Sequence, residues 1–123
     1  MSEKDVAGAL GLAQKAGKLS SGDLGVKDAL SDGKAMLLVI ATDAAPNTVK
    51  ELKFLAEKAS VPVIFCMQRT ALGLCIGKAP RAAVAVLDKG FAGLIMKKWN
   101  VLYKLEVAEW GRNEFLKLQK NTE

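Results

Sequence analysis

Residues 35–48, AMLLVIATDAAPNT, decide the fold. Met36, Leu37, Leu38, Val39 and Ile40 form an unbroken apolar run. A strand with no polar residue at alternate positions has no face to turn to water, so helices must cover both sides. The run is therefore expected to be the central strand of a sheet. Asp43 and a short turn follow, and Pro46, whose fixed φ suits the first position of a helix, opens the next element. The carboxyl end of such a strand is where open α/β sheets hold ligands. Asp43 stands there, and capping the Pro46 helix is the expected use of its carboxylate.

Downstream, residues 46–59 place Val49, Leu52, Leu55, Ala56 and Ala59 on one stripe of an amphipathic helix, with Lys50, Glu51, Lys53, Glu57 and Lys58 elsewhere. Residues 61–67 read as a second buried strand, with Pro62 confined to its start, and residues 82–87 as a third. Gln68, Arg69 and Thr70 form a polar tip, and Thr70 is placed to cap a short helix carrying Leu72, Leu74, Cys75 and Ile76. Phe91, Leu94, Ile95 and Trp99 make a last core-facing helix, and residues 112–120 read as helical. Upstream, Ser2 is placed to cap a helix with Val6, Ala9, Leu10 and Ala13 inward; Gly8 and Gly11 would admit a close neighbour, and Gly17 stops it. Residues 19–22 are a brief extended piece. A second helix starts at Gly22 and Asp23, carries Leu24, Ala29 and Leu30, and ends at Gly33.

Strands alternating with helices at this spacing predict an α/β fold, a three-layer α/β/α sandwich around a small mixed, largely parallel sheet. The tips after Ala41, Met67 and Leu87 are then expected on one side. Length alone, 123 residues, calls for one domain. Residues 1–99 hold every core strand, and residues 100–123 read as a helical C-terminal extension packed on or trailing that domain. No apolar run approaches membrane-spanning length and the start is polar, so a cytoplasmic protein without membrane contact is expected.

Histidine is absent, which removes the commonest general base and every His-containing zinc or triad arrangement. Asp43 has no acid or base partner nearby in sequence, so no enzyme, catalytic residue, metal or cofactor is expected. Cys66 and Cys75 lack CxxC spacing and sit among apolar residues, which reads as two reduced core thiols. GLCIGK at residues 73–78 is not a phosphate-loop pattern, and its core-like interior makes its glycines packing residues. Charge remains. Lys and Arg outnumber Asp and Glu by 18 to 13, and between residues 78 and 104 Lys78, Arg81, Lys89, Lys97, Lys98 and Lys104 are opposed only by Asp88. That excess favours a polyanionic partner. Most aromatics occupy core positions rather than a stacking platform, so structured RNA recognised by shape and backbone fits better than a single strand.

Four segments, LGLAQKAGKLSSG at 10–22, LLVIATDAAPNT at 37–48, VPVIF at 61–65 and LGLCIGKAPRAAVAVLDKGFA at 72–92, together resemble one family. They are similar to the small ribosomal protein family called L-seven-Ae, which binds RNA kink-turns, and in particular to its bacterial YlxQ branch. The resemblance implies the sandwich already inferred, no catalysis, and association with structured RNA, ribosomal RNA included, or with a ribosome-associated protein. Kink-turn binders of this family carry G-x-N-E-x-x-K at the start of a helix, with a second glycine eleven residues after the first. Registering Gly22 and Gly33 on those glycines puts Leu24 at the Asn position, Gly25 at the Glu position and Asp28 at the Lys position. All three base-reading side chains are missing, and Lys27 lies about a hundred degrees around the helix from position 28. The family's other contact, an apolar-containing loop over an extruded nucleotide, maps onto Arg69, Thr70, Ala71 and Leu72. The expected RNA-binding face is one basic surface. It comprises Gly22, Asp23, Leu24, Gly25, Lys27, Asp28, the Arg69 to Leu72 segment, and Lys78 and Arg81 on their turn, with Lys18 and Lys34 widening it. The alternative on the same fold is a protein-interaction module docking through a patch around Leu24 and Asp28.

Overall fold

The computed structural model describes residues 3–108, with side-chain environments given to residue 100. In chain order the elements are α1 (Glu3–Lys15), β1 (Leu19–Ser21), α2 (Asp23–Ser31), β2 (Leu37–Ile40), α3 (Pro46–Lys58), β3 (Val63–Phe65), α4 (Arg69–Cys75), β4 (Ala83–Val86) and α5 (Lys89–Ala108). The strands lie in the order β1-β4-β2-β3. β2 is interior and buried throughout, as its unbroken apolar run requires. Leu37 and Val39 project with Val84 and Val86 into the layer of α1, α4 and α5, whereas Leu38 and Ile40 project with Ala83 and Ala85 toward α2 and α3. Each fully buried aliphatic side chain in this arrangement contributes about 1.5–3 kcal/mol relative to exposure.

The α/β/α sandwich and the mixed sheet stand, but the parallel share is smaller than the sequence suggested. β2 pairs in parallel with β3, while β4 runs antiparallel to both β1 and β2. The cause is the short α4, which is followed by a connection that doubles back along it. Arg81 N–H bonds the carbonyl of Arg69, where α4 began, at 3.1 Å. The chain therefore re-enters the sheet from the edge it has just left. The tips after Ala41 and Met67 share that edge, and the tip after Leu87 is at the opposite one, where Leu87 N–H bonds Lys18 O at 2.8 Å.

β3 is a three-residue edge strand rather than a buried one, with Phe65 39 % exposed. The Lys53 ammonium lies 6.0 Å from the Phe65 ring centroid, and Trp99 Nε1 donates to the Phe65 carbonyl at 3.1 Å. α5 passes without a break through the boundary expected at residue 99. The Ser2 cap and the helix read over residues 112–120 lie outside the described residues. Gly11 does admit a neighbour, its added Cβ falling 3.1 Å from Cys75 O, whereas Gly8 has open space.

Three helices end alike. Gly17, Gly33 and Gly77 take φ of 71°, 71° and 72°, and the lysine after each donates back into its helix, Lys18 to Ala13 O at 2.9 Å, Lys34 to Ala29 O at 3.0 Å and Lys78 to Gly73 O at 2.8 Å. α3 closes through the same bond, Val61 N–H to Ala56 O at 2.8 Å, but its left-handed residue is Ser60, φ 58°. Ser60→Gly is expected to raise stability by roughly 0.5–1 kcal/mol, the left-handed penalty relieved less the added freedom of glycine in the unfolded chain. Urea unfolding should show a higher midpoint at unchanged slope.

Candidate functional site

One edge of the sheet gathers the ends of β1, β2 and β3 and the start of β4. Ala41 N–H bonds Ala82 O at 2.8 Å, and Met67 O accepts both Thr42 N–H, at 2.8 Å, and Thr42 Oγ1–H, at 3.2 Å. Gly22 precedes α2 at φ 86°, ψ 156°, a conformation essentially reserved for glycine. No side chain caps α2, and its first helical bond is Val26 N–H to Gly22 O at 3.1 Å. The leading N–H groups of the helix therefore open toward this edge, at its positive end.

Val26, Ala29 and Leu30 form the buried face of α2, while Leu24 is 72 % exposed. Leu24, carried on this helix with Ala29 and Leu30, thus parts from them: at 100° per residue it falls on the far side of the helix from Val26 and Leu30. Exposed Asp28, four residues on, shares that side. At Gly25 an added Cβ would lie 2.7 Å from Ser20 Oγ, so α2 passes β1 closely there. Lys27 bridges Glu51 of α3, at 2.9 Å, and Asp23, at 3.1 Å. Hydrogen bonding to Glu51 first, then Asp23, holds its ammonium above the ordinary lysine pKa.

Asp43 caps α4, not α3. Its Oδ1 accepts Arg69 N–H at 2.8 Å, and its Oδ2 lies 3.6 Å from Arg69 Nε; the residue preceding α3 is Ala45, without a side-chain cap. The parallel pairing of β2 and β3 brings the two tips together, and that juxtaposition decides which helix the carboxylate meets. Thr70 lies inside α4 after the N-cap position Gln68, which makes no side-chain cap bond. Arg69, Thr70, Ala71 and Leu72 are thus a helix start rather than a loop, with Ala71 exposed and Leu72 fully buried and withdrawn from any surface contact. Arg81 Nε donates to Ser21 Oγ at 3.4 Å, and its Nη1 donates to the carbonyls of Ala79 and Pro80 at 3.1 and 3.3 Å. It joins the end of β1 to the start of β4.

The remaining lysines do not gather here. Lys78 is exposed on the α4–β4 connection. Lys18 and Lys34 stand at the opposite edge, where Lys18 O accepts from Leu87 and Met36 N–H bonds Val86 O at 2.7 Å, about 13 Å away along a four-residue strand. The expected single basic face is not formed: Lys27, Arg69 and Arg81 share their edge with Asp23, Asp28 and Asp43.

The sequence model of the ribosomal protein L7Ae/L30e/S12e/Gadd45 family matches residues 4–95. The chain belongs to that family. It is 39% identical over 88 residues to the RNA-binding protein YlxQ of Bacillus subtilis (strain 168), an alignment covering 71% of this chain and 87% of that protein. It is 35% identical over 77 residues to large ribosomal subunit protein eL8 of Picrophilus torridus, covering 62% and 61%. A solved structure described as a protein with unknown function from Bacillus halodurans superposes with TM-score 0.72 at 32% identity, over 75% of this chain and 93% of that one.

Within this L7Ae-type fold several residues of the edge had no signal in the sequence. Met67, at φ 56°, is a bulky residue in left-handed backbone at the entry to α4. Glu3 Oε2 accepts its N–H at 2.9 Å, and Ser21 anchors Arg81. The partners are 64 and 60 residues apart, so no local pattern marks them. Neither cysteine is in a disulfide: Cys66 is buried, and Cys75 is half-buried with its thiol donating to Leu72 O at 3.1 Å. Burial pushes the Cys75 pKa up, which disfavours the reactive thiolate. At pH 8 iodoacetamide is expected to alkylate Cys75 more slowly than free cysteine, and urea should restore the ordinary rate; mass measurement over time reads both.

Proposed function

We propose that this protein is a non-enzymatic, cytoplasmic, ribosome-associated RNA-binding protein that engages structured RNA through the edge described above. The supporting observation is the convergence there of the uncapped start of α2, the exposed Leu24, and the Arg69 and Arg81 side chains. An open helix start and guanidinium groups suit phosphate oxygens. The two glycines of the family pattern bracket α2, with Gly22 at its N-cap and Gly33 at φ 71° after its end, which supports the register that puts Leu24, Gly25 and Asp28 at the base-reading positions. The protein then recognises RNA shape and backbone and discriminates poorly among kink-turn sequences. Residues 1–99 are the binding unit and residues 100–123 an appended extension.

Arg69→Glu with Arg81→Glu is expected to weaken binding of a structured ribosomal RNA fragment across sequences. It should also reduce the slope of log K against log salt by about 1.4–1.8, two phosphate contacts' worth. Fluorescence anisotropy across a salt series measures this. Unchanged affinity at low salt would remove the edge from the RNA site. The exposed Leu24 beside Asp23 and Asp28 also suits a docking patch for a protein. Nuclease-resistant capture of a ribosomal protein, lost in Leu24→Ala, would favour that second reading.

A further inference from the structure

The opposite edge of the sheet is built by one device used twice. α1 and α2 each close on a left-handed glycine followed by a lysine whose N–H is bonded back into the helix, Lys18 to Ala13 O and Lys34 to Ala29 O. The Lys18 carbonyl is in turn held by Leu87 N–H at 2.8 Å, and Lys34 leads through Ala35 into Met36, held by Val86 O at 2.7 Å. Both lysines are therefore displayed from backbone that is already fixed, which lessens the ordering lost on binding. β1 and β2 enter on either side of the outgoing end of β4, so the main chains at Lys18 and Met36 lie about 10 Å apart. Lys89, exposed, follows just beyond Leu87 between them.

With the last turns of α1, α2 and α3, this edge carries Lys15, Lys18, Lys34, Lys58 and Lys89 against Asp28, Asp32, Glu57 and Asp88. Asp88 is committed to α5, its Oδ2 accepting Phe91 N–H at 2.9 Å. Among the described residues, Lys18, Lys34 and Lys89 are exposed and lie beyond ion-pair distance of any carboxylate. By contrast Lys27, Arg69 and Arg81 all have partners within the protein. A lysine without an internal partner meets phosphate without first breaking a bond.

We propose that Lys18, Lys34 and Lys89 form a second phosphodiester-binding surface, so that one molecule holds two segments of RNA, one at each edge of its sheet. This rests on the RNA-binding reading above. The test uses the full chain, one immobilised RNA hairpin and one fluorescent copy of it. Wild type bound to the first hairpin should capture the second. Lys18→Gln, Lys34→Gln and Lys89→Gln combined should still bind the immobilised hairpin with its salt slope unchanged, and lose capture of the second hairpin at least tenfold. An unchanged urea midpoint would show that the triple variant is folded. Undiminished capture by the lysine variant overturns the proposal, as does wild type that binds the first hairpin and never captures the second. Wild type that binds no hairpin at all overturns the RNA reading itself, and this surface with it.

Discussion

Gly73→Ala is expected to destabilise the fold by about 3 kcal/mol or more, at the upper end of what overpacking does. A Cβ at Gly73 would collide with Ala79 O and fall 2.7 Å from Ala79 C and 2.9 Å from Pro80 Cα. These are backbone atoms, so no rotamer change relieves the contact. The segment is pinned at both ends, by Lys78 N–H on Gly73 O and Arg81 N–H on Arg69 O, so moving it breaks the return of the chain into β4. Helix propensity acts the other way, since alanine in mid-helix is favoured over glycine by about 1 kcal/mol, but it is the smaller effect. Gly8→Ala isolates that smaller effect: position 8 is also helical and has no atom within 4 Å of an added Cβ, so this variant should gain stability. Equilibrium urea unfolding of the pair provides the measurement. A Gly73→Ala protein as stable as wild type would mean that α4 and the segment after it are not packed as described.

Leu24→Asn, Gly25→Glu and Asp28→Lys, introduced together in a Ser20→Ala background, are expected to create at least a tenfold preference for a kink-turn over a straight duplex of equal length. Leu24 and Asp28 are exposed on one side of α2, so Asn and Lys there replace nothing in the core. Glu at position 25 meets an obstacle, because its Cβ would stand 2.7 Å from Ser20 Oγ, although Ser20 Cβ is 4.0 Å away. Removing that one hydroxyl clears the site. Asn and Glu then offer hydrogen bonds to base edges, each worth about 1–3 kcal/mol of discrimination in DNA complexes, and about 1.4 kcal/mol suffices for a factor of ten. Replacing Asp28 with Lys also removes a carboxylate from the path of the phosphates. Anisotropy with the two RNAs in competition reads the ratio. Strong kink-turn selectivity in wild type would show the register on Gly22 and Gly33 to be misassigned, and no gain in a folded variant would show that this surface does not present bases to α2.

The sequence by itself determined what depends on local pattern. The unbroken run 36–40 required a strand covered on both faces, and β2 is that strand. The 3.6-residue stripe of Val49, Leu52 and Ala56 required a helix with one buried side, and the glycine stops at Gly17 and Gly33 suit left-handed backbone that other residues resist; Gly77, read as a packing residue like Gly73, proves to be a third such stop with open space around it. Tertiary structure alone decided strand direction, because Val84 and Val86 pack equally well whichever way β4 runs, and the choice fell to the contact of Gly73 with Ala79 and Pro80. That direction brings Arg81 to Ser21 and Leu87 to Lys18, at opposite edges of the sheet, while the parallel pairing of β2 with β3 gives the Asp43 carboxylate to Arg69 rather than to the helix beginning at Pro46. Charge is written along the chain, but which charges meet is a property of the sheet, since hydrogen bonds between residues 26 to 64 positions apart leave no periodicity to read.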